Sequence, residues 1–124
     1  MKGKKILFVE DDELMSRMYR RIFVAQGCVV EVAQNGLEGY VKATVFQPDL
    51  IFLDVMMPKM NGLELFEKMK ADKDMKDIPI IMLTNLASQT ATESTLLKGA
   101  AGYLIKSDHD PEDLVAFAKK FFGE

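Results

Sequence analysis

Leu50-Ile51-Phe52-Leu53-Asp54-Val55-Met56-Met57-Pro58 is the stretch on which the fold of this chain turns. Leu50 to Leu53 form an unbroken apolar run, which is how a parallel strand covered on both faces reads. The run ends on Asp54. A carboxylate at the end of a buried strand needs a reason, because an unpaired buried charge is expensive. Three further runs end the same way. Ile6-Leu7-Phe8-Val9 leads into Glu10-Asp11-Asp12, Ile80-Ile81-Met82-Leu83 leads into Thr84, and Tyr103-Leu104-Ile105 leads into Lys106. If these strands are parallel, acids, a hydroxyl and an ammonium converge at one edge of one sheet.

Working outward from that stretch, strands are expected over residues 5–10, 29–33, 49–54, 79–84 and 102–106. Helical patterns alternate with them. Met15, Met18, Tyr19 and Ile22 recur at helical spacing and Gly27 closes that helix. Leu37, Tyr40, Val41 and Thr44 make a second stripe after Asn35-Gly36. Asn61-Gly62-Leu63-Glu64 reads as a cap with a reaching Glu, followed by Leu65, Phe66 and Met69. Asp110-Pro111-Glu112-Asp113 is a helix start, and Leu114, Phe117, Ala118 and Phe121 continue it. These stripes are taken as core faces. The Ser/Thr-rich segment Ser88 to Lys98 favours helix poorly, so a marginal fourth helix is expected there. Asp72 to Asp77 reads as a solvated loop. Five βα units without a long linker imply an α/β, doubly wound, five-stranded parallel sheet with five helices, in a single domain over residues 1–124.

Composition narrows the function. A chain of 124 residues, 48% hydrophobic and 28% charged, is enough for one globular core. A net charge of −3 with both signs dispersed gives no footprint for nucleic acid or a membrane surface. The apolar runs are too short to span a bilayer, and the Met-Lys-Gly-Lys-Lys start lacks the features of a secretory signal. One cysteine, Cys28, excludes an internal disulfide and suits the cytosol. Its place beside Val29-Val30 reads as a core residue rather than a reactive thiol.

In a doubly wound sheet, ligands bind outside the carboxyl ends of the strands. Glu10, Asp11 and Asp54 placed there would repel one another, and a hard divalent cation resolves the repulsion. Oxygen ligands without His or Cys partners favour Mg2+ over zinc. The lone His109 has no second His and is not counted as a ligand. Carboxylates, Mg2+, the Thr84 hydroxyl and the Lys106 ammonium together suit phosphoryl transfer, with Asp54 as the nucleophile. The blander alternative is a plain Asp54–Lys106 ion pair, with the acids capping the helix that starts near Asp12.

The segments Val9-Glu10-Asp11-Asp12, Leu53-Asp54-Val55-Met56-Met57-Pro58 with Asn61-Gly62, Leu83-Thr84, and Gly99-Ala100-Ala101-Gly102-Tyr103-Leu104-Ile105-Lys106 occur together and in order. In this the chain resembles a response regulator receiver domain of the CheY-like family, over essentially its whole length. The resemblance implies a flavodoxin-like fold with strand order 2-1-3-4-5. It implies Asp54 as phosphoacceptor, Asp11 as a direct Mg2+ ligand, Glu10 acting on the metal through water, and the Met56 carbonyl as a further ligand. It makes Thr84 and Tyr103 the switch pair and Lys106 the phosphoryl-binding lysine. The implied donor is a histidine kinase or histidine phosphotransfer protein. The implied output is a downstream effector or a homodimer, through the face of helix 4, strand 5 and helix 5. Such a switch catalyses its own phosphorylation and dephosphorylation and is not an enzyme with a separate substrate.

Three departures stand out. Ser107 replaces the usual proline, which leaves the aim of Lys106 and the geometry of the Lys106–Ser107 peptide open. Met56 and Leu86 are apolar where side chains help admit water to the phosphoryl group, so slow-to-moderate loss of phosphate is expected. No effector segment follows Glu124, which fits either a stand-alone regulator or a receiver cut from a longer protein. Among other readings, a haloacid-dehalogenase-like phosphatase wants a second acid where Met56 stands. A flavin mononucleotide binder wants a phosphate loop where Glu10-Asp11-Asp12 stands. A pseudo-receiver, an interaction module that does not accept phosphate, is the alternative that Ser107 keeps open.

Overall fold

The computed structural model describes residues 1–55, 57, 61–84 and 99–124, with Thr84 in its backbone only. Met56, Leu86 and the helix expected over 88–98 lie outside the described residues.

Five parallel strands form one sheet in the order β2-β1-β3-β4-β5: β1 (Lys5–Val9), β2 (Val29–Ala33), β3 (Leu50–Asp54), β4 (Ile80–Thr84) and β5 (Gly102–Ile105). The four helices among the described residues are α1 (Glu13–Ala25), α2 (Gly36–Phe46), α3 (Gly62–Lys70) and the C-terminal helix (Pro111–Phe121). The chain steps from β1 outward to β2, then returns to place β3 on the other side of β1. That reversal is the switch point in strand order, where a crevice opens at the carboxyl ends.

The continuous apolar runs become β1, β3 and β4 because their alternate side chains are buried on opposite faces. Ile6, Phe8, Leu50 and Phe52 pack with Tyr19 and Phe23 of α1 and Leu114 and Ala118 of the C-terminal helix. Leu7, Val9, Ile51 and Leu53 pack on the other face with Ala43 of α2 and Leu65, Phe66 and Met69 of α3. Phe8 is the centre of the first layer, with ring centroids 4.9 Å from Tyr19 and 5.0 Å from both Phe23 and Phe52. Complete burial of each such side chain contributes about 1.5–3 kcal/mol.

The helix ends follow their capping residues. Asp12, Asn35 and Asn61 accept from the backbone N–H groups of Met15, Glu38 and Glu64. Gly27, at φ 88°, takes the left-handed position that ends α1. The Asp110 N–H donates to Asp113 Oδ2 at 2.9 Å, as the acids flanking Pro111 suggest.

Three helical stripes differ from the sequence expectation. In α1, Tyr19 is buried as expected, but Ser16 and Phe23 complete the inner face and Met18 is exposed. In α2 the inner face is Gly36, Gly39 and Ala43, while Leu37, Val41 and Thr44 point to solvent. The reason is steric. A Cβ on Gly39 would lie 3.0 Å from Val9 Cγ2 and 3.1 Å from Leu65 Cδ2, so the helix sits too close to the sheet for large side chains. At the C-terminus Phe121 is exposed, and Phe122 turns to the core instead. Cys28 is buried, as expected, with its thiol donating to the Met1 carbonyl at 3.7 Å.

Candidate functional site

β1 and β3 are neighbours, so the residues that follow them meet at one edge. The Glu10 N–H donates to the Ala33 carbonyl at 2.9 Å, extending the β1–β2 ladder by one residue and fixing the Glu10 backbone. Asp54 is the last residue of β3, opposite Leu83 of β4. The next residue continues the pairing, with the Val55 N–H donating to the Leu83 carbonyl at 2.9 Å. Carboxylate oxygens of Glu10, Asp11 and Asp54 then lie within 4.8 Å of one another. Glu10 is 1% exposed and Asp54 4%, whereas Asp11 faces solvent.

Lys106 closes the site from the end of β5, as the first residue of a short 3-10 turn over Lys106–Asp108. Its Nζ donates to Glu10 Oε1 at 2.5 Å and to Asp54 Oδ2 at 3.3 Å. The Lys106–Ser107 peptide is trans. Glu10 uses its second oxygen to accept the Asp12 N–H at 3.1 Å. Asp12 therefore shapes the turn and caps α1.

Burial pushes the Glu10 carboxyl up to about 7. The Lys106 hydrogen bond works against that shift, and the charge of Asp54 adds to it. Burial pulls Lys106 down, but its bond to Glu10 and the charges of Glu10 and Asp54 outweigh this and raise it. Below the site, burial pushes the Tyr19 hydroxyl up to about 12. Two buried acids and one ammonium thus share a low-dielectric pocket, beside an exposed acid that opens to water.

The donor set fits a hard divalent cation: three carboxylates, no soft ligand, and one solvent-facing edge. Glu10, Asp11, Asp54 and Lys106 come together as the sequence suggests. The Thr84 backbone ends β4 opposite Ile105, within the same edge. Tyr103 stands on the edge strand β5 and is 43% exposed. His109 lies apart from the acids, with Nδ1 3.6 Å from Asp113 Oδ2.

Sequence reasoning missed the part played by Gly62. Its N–H donates to the Val55 carbonyl at 3.0 Å, and a Cβ there would lie 2.2 Å from the Asp54 carbonyl oxygen. Only glycine lets the first turn of α3 sit against the backbone of Asp54. The Asn-Gly pair read as a helix cap, and nothing in it signalled this close approach.

A 2-1-3-4-5 parallel sheet with an acid triad and a lysine at the carboxyl edge defines a flavodoxin-like, CheY-like switch architecture. The chain belongs to the response regulator receiver domain family, whose model matches residues 6–119. It is 36% identical over 121 residues to the transcriptional regulatory protein CrdR of Helicobacter pylori, covering 98% of this chain and 56% of that protein. It is 31% identical over 121 residues to the polar-differentiation response regulator DivK of Brucella anthropi, covering 98% of each. The chain thus spans about half the length of CrdR and nearly all of DivK. The chemotaxis protein CheY4 of Vibrio cholerae superposes with a TM-score of 0.86 at 31% identity, covering 95% of this chain and 98% of that one. Receiver domains are signalling switches of two-component systems rather than enzymes in the ordinary sense.

Proposed function

We propose that the chain, as a single domain over residues 1–124, is a phospho-accepting switch with Asp54 as the nucleophile. The observation that carries this reading is the convergence of Glu10, Asp11 and Asp54 within 4.8 Å, with Lys106 reaching two of them. The donor is the phosphohistidine of a histidine kinase or histidine phosphotransfer protein. An Asp54 carboxylate oxygen attacks phosphorus and forms the O–P bond. The P–N bond to the donor breaks, its electron pair stays on the imidazole nitrogen, and that nitrogen takes a proton from solvent. The residues that would hold Mg2+ are Asp11, Asp54, Glu10 through water, and the Met56 carbonyl. Mg2+, when bound, supplies positive charge that offsets the phosphoryl oxygens and the carboxylates. Lys106 leaves Glu10 to meet one phosphoryl oxygen, and the Thr84 hydroxyl donates to another.

Phosphorylation then draws Thr84 toward Asp54, and Tyr103 turns in from its exposed position. The face of helix 4, strand 5 and the C-terminal helix re-packs to engage a downstream effector or a second copy. The site of action is the cytoplasm. Met56 and Leu86 orient no water, so phosphate is lost slowly to moderately; a phospho-Asp54 half-life of seconds in Mg2+ buffer contradicts that part. The switch is tested with beryllofluoride and Mg2+, followed by NMR of Thr84 and Tyr103. Both signals shift in the wild type and neither shifts in Asp54→Ala. Unchanged wild-type spectra would establish the pseudo-receiver instead.

A further inference from the structure

α2 buries its smallest residues and exposes its largest. Gly36, Gly39 and Ala43 face the sheet, while Leu37, Val41 and Val45 are 52%, 62% and 82% exposed. The tight seat of Gly39 against Val9 and Leu65 explains the inner side. It does not explain an outer side made of three aliphatic residues. Recurring every fourth position, they form one ridge along the helix. A contiguous apolar ridge of this kind is a candidate interaction surface. The ridge is bounded by polar groups that are already engaged. On one flank the Tyr40 hydroxyl donates to Asp72 Oδ2 at 2.6 Å. On the other, Lys42 Nζ lies 3.1 Å from Glu38 Oε1 and donates to the Val32 carbonyl.

We propose that this ridge is a self-association surface, on which α2 of one copy packs antiparallel against α2 of a second. The pattern is its own complement. Leu37 and Val45 lie four residues either side of Val41, so a twofold axis at Val41 sets Leu37 against Val45 of the other copy. Ridges of this spacing interdigitate at a crossing angle of about −50°. The charges agree with the same axis. Glu38 and Lys42 share one flank with opposite signs, and an antiparallel copy brings each Glu38 beside the other copy's Lys42. A uniformly acidic or basic partner would oppose one of the two. The area sets the strength: three partly exposed aliphatic side chains offer on the order of 300 Å² per copy, against about 800 Å² in a standard interface. The interface is small, so the dimer is weak. It is independent of phosphoryl chemistry and separate from the output face on strand β5.

Sedimentation equilibrium of the whole chain, from micromolar to millimolar protein, tests this. The weight-average mass rises toward the dimer in the wild type and equally in Asp54→Ala. Val41→Glu, on the solvent side of the helix, keeps its circular dichroism and loses the association at least tenfold. Glu38→Lys weakens it, because it sets like charges against the other copy's Lys42. Val24→Glu, an exposed apolar site on α1, leaves it unchanged. A monomer at every concentration overturns the proposal, and so does a dimer that Val41→Glu does not weaken.

Discussion

Lys106 lies closer to Glu10 than to Asp54: Nζ is 2.5 Å from Glu10 Oε1 and 3.3 Å from Asp54 Oδ2. In this resting arrangement the lysine serves as the counter-ion that lets two buried acids coexist. A divalent cation entering between the acids meets that ammonium.

Lys106→Met removes the competing charge. Mg2+ is expected to bind about tenfold tighter, ~1.4 kcal/mol, by isothermal titration calorimetry. Without Mg2+ the same variant is expected to lose about 3 kcal/mol of stability, since Glu10 and Asp54 lose the ammonium they share. Equal Mg2+ affinity in variant and wild type would mean that the ammonium does not oppose the metal.

Glu10 contributes a pH dependence to the metal-free chain. Its folded value, about 7, is above its ordinary 4.5, so the folded state holds the proton more tightly than the unfolded state. Its favourable contribution is fully present below about 4.5 and is lost as pH rises to 7. The loss is on the order of 3 kcal/mol. Glu10→Gln, melted in chelator, is expected to exceed the wild-type Tm above pH 7 and to converge with it near pH 5. A constant difference across that range would show that Glu10 does not titrate there.

Gly62 and Gly39 set up a ranking. The Gly62→Ala methyl would collide with the Asp54 carbonyl at 2.2 Å, which is backbone and cannot swing aside. The Gly39→Ala methyl would meet Val9 and Leu65 side chains at 3.0–3.1 Å. Gly62→Ala is expected to cost about 3 kcal/mol and Gly39→Ala about 1 kcal/mol in urea unfolding. Gly62→Ala also weakens Mg2+ binding, because it displaces Asp54. The opposite order of stabilities would show that the α3 start can move away freely.

Much of this was readable from residues alone, for identifiable reasons. β1, β3 and β4 announce themselves because a strand buried on both faces has no polar alternation to confuse with helix. The acid triad was visible because Glu10 and Asp54 directly follow such runs and Asp11 comes next after Glu10. α2 was misread because a stripe of large apolar residues normally marks the buried face. Here closeness to the sheet selects glycine and alanine instead, and spacing between helix and sheet is a tertiary property. The contact of Lys106 with Glu10 depends on side-chain reach across three strands, which strand-end placement does not specify. The fit of Gly62 against Asp54 likewise depends on how α3 returns to the sheet.

Intact-mass spectrometry with peptide mapping tests Asp54 as the acceptor most directly. Incubated with Mg2+ and a small acyl phosphate, the wild-type chain is expected to gain the mass of one phosphoryl group on the peptide that holds Asp54. Asp54→Ala and the chelated wild type are expected to gain none. An unmodified wild type, or a gain that survives in Asp54→Ala, would contradict it.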